Sequence, residues 1–237
     1  MQTNTPSKKR IMIGMAIGDG STRWETSMSL MSLIASGLQD FEFVIVPMGG
    51  CDVAHARNLL IHAWRTRHSD CGKLLFIDSD VKFTADDILR VVQYPVGIVG
   101  GLYPRLGKTL SWSYNGWLRW SKEFPELWEV VELCTGFMCI DSEVINTLAV
   151  SGLCQNFTIE DVGFRGETAT EFFWMGTLGG RRYSEDFYFC KICREVGYKI
   201  YADSQIQLDH IKTTGILQFF LPEGKTKFGI TEMVPKV

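Results

Sequence analysis

Nowhere in these 237 residues do charges of one sign gather into a block. Charged side chains make up 22% of the chain and the formal net charge is only -3, so neither a nucleic-acid-binding face nor an acidic tail is expected. Long apolar runs are missing too. The N-terminal "MQTNTPSKKR" has basic residues, but the stretch behind it, "IMIGMAIGDG", is too short and too soon interrupted for a signal peptide or a membrane span. A soluble, cytoplasmic protein is the expectation. No internal repeat, low-complexity segment or Pro/Gly/Ser-rich linker divides the chain. Nor is there an even set of cysteines. The seven present are scattered through apolar contexts, which suits reduced and mostly buried thiols better than a disulfide framework. Cys190 and Cys193 have CxxC spacing but fall in a predicted helix with no second pair to complete a zinc site.

What is present is a hydrophobic fraction of 46%, enough for a substantial core in one large domain or two small ones. The first half alternates strand and helix. Residues 10–17, 41–48, 73–77 and 96–103 read as strands, and 21–37, 51–68 and 84–93 as helices. Such succession predicts an α/β fold with a mostly parallel central sheet covered on both faces. The second half differs in texture. The aromatic-rich 109–133 predicts short antiparallel strands, "CTGFMCID" another strand and "SEVINTLAV" a helix. A loop-rich 151–180 then precedes the helix "SEDFYFCKICREVG" and two short strands, "YKIYAD" and "IQLDH". One domain over 1–237 is expected, with a nucleotide-binding half at about 10–105, an antiparallel portion at about 106–212 and a tail at 213–237.

In "KLLFIDSDVKFTADD" four apolar residues run directly into two acids separated by one serine. Thr84 with Asp86 and Asp87 reads as a capped helix start, which accounts for those acids without any chemistry. Asp78 and Asp80 come too early for that. They emerge at the carboxyl end of a strand, where parallel sheets present their ligand sites. Residues two apart on an extended segment point to one side, so the two carboxylates can converge while Ser79 points away. Two anions held that close repel unless a cation or a proton lies between them, and a divalent metal is the economical answer. Carboxylate oxygens suit Mg²⁺ or Mn²⁺, which share their coordination with substrate phosphates. Farther on, His210 at a strand end, and Glu185 and Asp186 at a helix start behind Ser184, each have a structural explanation on local grounds alone.

Taken together, "KLLFIDSDVKFTADDILRVV", "VGIVGGLYPR", "CTGFMCIDSEVI" and "YSEDFYFCKICREVGYKIYADSQIQLDHI" resemble, in order and spacing, the nucleotide-sugar glycosyltransferases of the GT-A fold. The likeness is to the small soluble transferases of large DNA viruses and phages and their bacterial relatives, and it spans roughly residues 10–212. It implies that Asp78 and Asp80 hold Mn²⁺ or Mg²⁺ on the donor diphosphate, with His210 as the third ligand. It further implies that Asp186 is the general base for the acceptor hydroxyl. Arg57, Ala16, Asp19 and Ser79 would then line the nucleotide, and Arg105 would stand near its phosphates where relatives often carry lysine. Gly136, Trp112 and Glu185 fall on the acceptor side. The expected partners are a nucleotide sugar, with a UDP-hexose favoured by the resemblance, and a glycan acceptor; no nucleic acid or integral membrane segment is expected.

The chemistry asks for these residue types. A cation stabilises the departing diphosphate by several kcal/mol, and a carboxylate on the opposite face takes the acceptor proton as the hydroxyl attacks. Backside attack predicts inversion at the anomeric carbon, with retention also open. The aromatics Trp112, Tyr114, Trp117, Trp120 and Trp128 could stack on sugars or simply pack in the core. "GTLGGRR" reads as a loop able to order over a donor, its arginines either reaching a phosphate or solvated. A metal-dependent nucleotidyltransferase or phosphohydrolase, or a non-catalytic carbohydrate-binding protein, would use the same acids on a similar sheet.

Overall fold

The structure is a computed structural model that describes residues 8–18, 20–38, 40–105 and 111–211. The expected donor contact Asp19 and the tail from residue 213 lie outside the described residues. The elements follow in chain order as β1 (Lys9–Ile17), α1 (Trp24–Ala35), β2 (Phe41–Gly49), α2 (Val53–Arg67), β3 (Lys73–Ile77), β4 (Val81–Lys82), α3 (Ala85–Gln93) and β5 (Ile98–Leu102). The second half continues with β6 (Pro104–Arg105), β7 (Ser111–Trp112), β8 (Tyr114–Trp120), β9 (Leu127–Leu133), β10 (Phe137–Asp141), α4 (Ser142–Val150), β11 (Gln155–Thr158) and β12 (Thr168–Glu171). It closes with β13 (Gly176–Leu178), β14 (Arg181–Tyr183), α5 (Glu185–Glu195), β15 (Ile200–Gln207) and β16 (Asp209–His210).

Eight strands form one sheet in the order β2-β1-β3-β10-β5-β15-β9-β8. Their pairings make β2, β1, β3, β5, β15 and β8 run one way and β10 and β9 the other. The sheet is therefore mixed and mostly parallel, as the alternation in the first half predicts. One placement is not foreseen by that alternation: β10, from the second half, enters antiparallel between β3 and β5, with Met138 opposite both Phe76 and Gly100. β3 and β10 are among the most apolar segments of the chain, and a strand buried on both faces and both edges fits only in the middle of a sheet. The core divides across the sheet. Leu74, Phe76, Met138 and Ile140 pack on one side under α2, α4 and α5, while Ile13, Leu75, Ile77, Val99 and Cys139 pack on the other with α3 residues Ile88 and Val91.

Local chemistry fixes the edges of these elements. Thr84 and Asp87 form a reciprocal capping box, Thr84 N donating to Asp87 Oδ2 at 2.8 Å, so those acids serve the helix start. The aromatic run packs largely on itself at the sheet edge: Trp128 is buried and meets Trp120 and Tyr114 edge-on at 5.2 and 5.8 Å. All seven cysteines are free thiols, and Cys190 and Cys193 are fully buried, which raises both above the ordinary thiol range and leaves them protonated.

The expected pair of short strands near the end is divided elsewhere: β15 runs through to Gln207 with an irregularity between Asp203 and Gln207, and only Asp209–His210 forms a separate strand, β16. The fully buried Asp203 carboxylate anchors that irregularity. It accepts from the Tyr94 hydroxyl at 2.8 Å, from Arg90, and from the backbone N–H of Gln205 at 2.8 Å. Beyond it Leu208 N donates to Leu102 O, and β16 crosses over to pair with β4, setting His210 opposite Val81.

Candidate active site

The carboxyl ends of β3 and β5 define one rim of the sheet. Because β10 is antiparallel, its beginning falls on the same rim: Asp78 N donates to Gly136 O at 2.9 Å. The start of α5 and the β16 crossing reach the rim as well. Here an open cleft of about 340 Å³ is lined by Arg57, Asp78, Tyr103, Arg105, Ser184, Glu185, Asp186 and His210, with Cys134 to Gly136 along its floor. A crevice beyond the strand ends is where sheets of this kind bind ligands.

Arg57, on α2, is the electrostatic centre. Its side chain is only 4% exposed and reaches both Glu185 Oε1, at 2.5 Å, and Asp78 Oδ1, at 3.0 Å. Burial works against its charge, but Asp78, Glu185 and Asp186 outweigh burial and hold the guanidinium above its ordinary range. Burial raises Glu185 in turn, with Arg57 opposing and Asp186 adding to the rise. The guanidinium expected to line the nucleotide thus turns Nη1 and Nη2 to two carboxylates.

Asp78 and Asp80, expected to share one cation, have different protein partners in this structure. Asp78 is drawn to Arg57, the nearer buried cation, whereas Asp80 is buried and faces His210, Oδ2 to Nε2 being 3.4 Å. Among the described residues no three His, Cys, Asp or Glu side chains form a ready metal cluster. The Asp80–His210 pair nevertheless fits a divalent cation. His210 Nδ1 lies 3.0 Å from the Pro104 carbonyl, which can only accept, so Nδ1 carries a proton and Nε2 is the ring atom that faces Asp80 and would be offered to a cation. A ligating histidine braced by a backbone carbonyl is the usual arrangement around metal ions.

Asp186 stands at the start of α5, where Ser184 is the N-cap residue yet makes no capping hydrogen bond. Its hydroxyl donates to Asp186 Oδ1 instead, and Phe187 N donates to the same oxygen at 2.9 Å. Burial foremost, with the nearby Asp186 charge, pushes the Cys134 thiol well above its usual range, so it stays protonated. Arg105 lines the cleft with its guanidinium 5.2 Å from the Phe187 ring centre. Two polar atoms of the lining residues, Arg57 Nε and Thr135 Oγ1, are buried without a hydrogen-bond partner among the described residues. Each such orphan costs about 1–3 kcal/mol, which a purely structural core avoids.

Asp78, Arg57, Arg105, Gly136, Glu185, Asp186 and His210 are thus brought to one cleft, with Asp80 behind His210. Asp80 is not itself among the lining residues, and three further candidates lie apart from them: Ala16 is buried at the end of β1, Ser79 lends its carbonyl to Arg23 N at 2.8 Å, and Trp112 packs against the core from β7. "GTLGGRR" forms the β13–β14 hairpin, with Gly179 and Gly180 at positive φ in its turn and Arg181 bound to the buried Glu132. Tyr103, Cys134, Thr135 and Ser184 fall within the quoted motifs without being named as site residues. Tyr103 directly follows β5, and its place at a strand end was the available signal. Its phenol lies well above the ordinary range through burial, reinforced by Cys134, Asp78 and Asp186, and it accepts from Gly136 N at 3.0 Å.

Gly136 fills a place that no larger residue can take. A Cβ there would lie 2.4 Å from the Tyr103 hydroxyl and 2.7 Å from Asp78 Oδ2. Gly136→Ala is therefore expected to lower stability by about 1–3 kcal/mol, read from urea unfolding, since a rigid ring and a paired carboxylate must both give way.

No family model and no characterised protein matches the sequence. Among solved structures the fold is similar to a protein from STIV, with 20% identity, TM-score 0.47, and coverage of 83% of this chain and 82% of that one. It is similar to the catalytic domain of Drosophila β1,4-galactosyltransferase 7 in complex with xylobiose, at 13% identity and TM-score 0.48, covering 96% and 79%. It is also similar to GalNAc-T7 with UDP, GalNAc and Mn²⁺, at 12% identity and TM-score 0.49, covering 86% of this chain and 44% of that one. Folds of this kind host unrelated activities, and the chemistry resides in the side chains of the cleft.

Proposed function

We propose that the protein is a metal-dependent glycosyltransferase that moves a sugar from a nucleoside-diphosphate sugar to a hydroxyl of a glycan acceptor. The observation that supports this most is the meeting, at one rim, of a histidine–carboxylate pair from β16 and the β3–β4 turn with a separately held carboxylate, Asp186, from α5. Mn²⁺ or Mg²⁺ held by Asp80 and His210, beside Asp78, would supply positive charge to the departing diphosphate, a contribution of several kcal/mol. Arg105 offers a second positive charge to the donor phosphates. Arg57 keeps Asp78 and Glu185 in place. Asp186, oriented through one oxygen by Ser184 and Phe187 N, accepts the proton of the attacking hydroxyl. Attack from the face opposite the leaving group inverts the anomeric carbon. UDP-hexoses are the donors favoured by the sequence resemblance.

The test is incubation with Mn²⁺, a panel of nucleotide sugars and candidate glycans. Release of nucleoside diphosphate is expected. Nucleoside monophosphate or pyrophosphate instead would assign attack at phosphorus, and binding without turnover would assign a carbohydrate-binding role. His210→Ala is expected to weaken Mn²⁺ binding, followed by calorimetry, by at least about 10-fold, the loss that removing even an outer partner of a metal site brings.

A further inference from the structure

The helix α1 is apolar on two faces, packing Leu30 and Leu33 on the core and presenting a second apolar stripe outward. It buries Thr26, Ser29 and Leu33, and turns Trp24, Met28, Met31 and Ile34 outward at 70%, 49%, 61% and 67% exposure. The inward hydroxyls are suited to their place only in part: Ser29 accepts from Phe83 N at 3.1 Å, whereas Thr26 Oγ1 is buried with no hydrogen-bond partner among the described residues. The outward four recur at intervals of four, three and three and so share one face of the helix. A contiguous apolar stripe of this kind marks a surface that is covered in use.

We propose that the cover is the chain's own segment 216–221, "ILQFFL". Its point of departure argues for it. The described chain reaches Ile211, whose N–H donates to Asp80 O at 2.8 Å, and one residue away Arg23 N, at the start of α1, donates to Ser79 O at 2.8 Å. The described chain therefore ends beside the N-terminal end of the stripe. Five residues, Lys212 to Ile216, extend up to roughly 17 Å, and the whole of α1 is about 18 Å long. Ile216, Leu217, Phe219, Phe220 and Leu221 supply the apolar surface the stripe lacks, and Pro222 and Glu223 follow directly. A lipid surface is the poorer match, because α1 contains Glu25 and no lysine or arginine. The inference does not depend on the proposed activity.

The methionines report on the cover. In the full chain treated with peroxide and read by peptide mass spectrometry, Met28 and Met31 are expected to oxidise severalfold more slowly than Met175, which is itself 46% exposed. In the full chain carrying Phe219→Asp and Phe220→Asp, both rates are expected to rise to that of Met175. The buried Met12 and Met138 stay protected, which shows that the fold has survived. Equal rates for Met28, Met31 and Met175 in the unaltered chain overturn the proposal. So does protection that persists in the double variant, and so does protection lost on dilution, which would assign the face to a second copy of the chain.

Discussion

Asp186→Asn is expected to slow sugar transfer by about 10² to 10⁴ while leaving the affinity for donor and Mn²⁺ nearly unchanged. The amide has almost the volume of the carboxylate and can still accept from Ser184 Oγ and Phe187 N through its oxygen, so the start of α5 should keep its geometry. What disappears is the capacity to take a proton. The loss should therefore appear in kcat and not in donor binding, and steady-state kinetics with separate calorimetry distinguishes the two. A variant that turns over at the normal rate would remove Asp186 from the chemistry. One that loses donor affinity in the same proportion would make it a binding group.

Arg57→Met should lower the unfolding free energy by roughly 3–5 kcal/mol, the usual consequence of removing one partner from a buried ionic group. Methionine fills much of the same volume, so the loss would be electrostatic: Asp78 and Glu185 would face each other, with Asp186 close by, and no cation between them. The pH dependence gives this a sign. Glu185 is already raised in the folded protein by burial, against the pull of Arg57, and without that pull it rises further. A carboxyl raised on folding stabilises the fold fully below its unfolded value, about 4.3, and that contribution is lost as pH climbs through the folded value. The deficit of Arg57→Met should accordingly be small below about pH 4 and grow toward neutrality, and adding Glu185→Gln should recover part of it. Urea unfolding across that range is the measurement, and a deficit independent of pH would show that lost packing dominates.

The parts of this architecture that were legible are those whose cause is local. β3 ends where its apolar run meets Asp78, and Thr84 with Asp87 announces α3 through a pairing only three residues long. Both halves of the cleft could be named because each acid or histidine sits at the end of a recognisable element. What escaped depends on encounters between distant segments. Nothing near Phe137 tells that its strand slips between β3 and β5, and nothing near Arg57 tells that carboxylates 21 and 128 positions onward will claim it. Asp78 and Asp80 illustrate the difference. Their spacing was readable, but the direction of each carboxylate is decided by a partner the spacing does not contain. The same holds for α1, whose period marks a helix although two hydroxyls, Thr26 and Ser29, share its inward face with Leu30 and Leu33.

Asp203 and its collar of donors have a consequence for the histidine seven positions later. Strand residues alternate sides, so removing one residue between 203 and 207 would reverse the facing of all that follows. Leu208 would swing away from the interior, and the imidazole would exchange its view of Asp80 for open water. A pocket assembled from remote pieces thus depends on three unmatched residues, 204–206, in the ladder before it, kept in step by a single submerged anion.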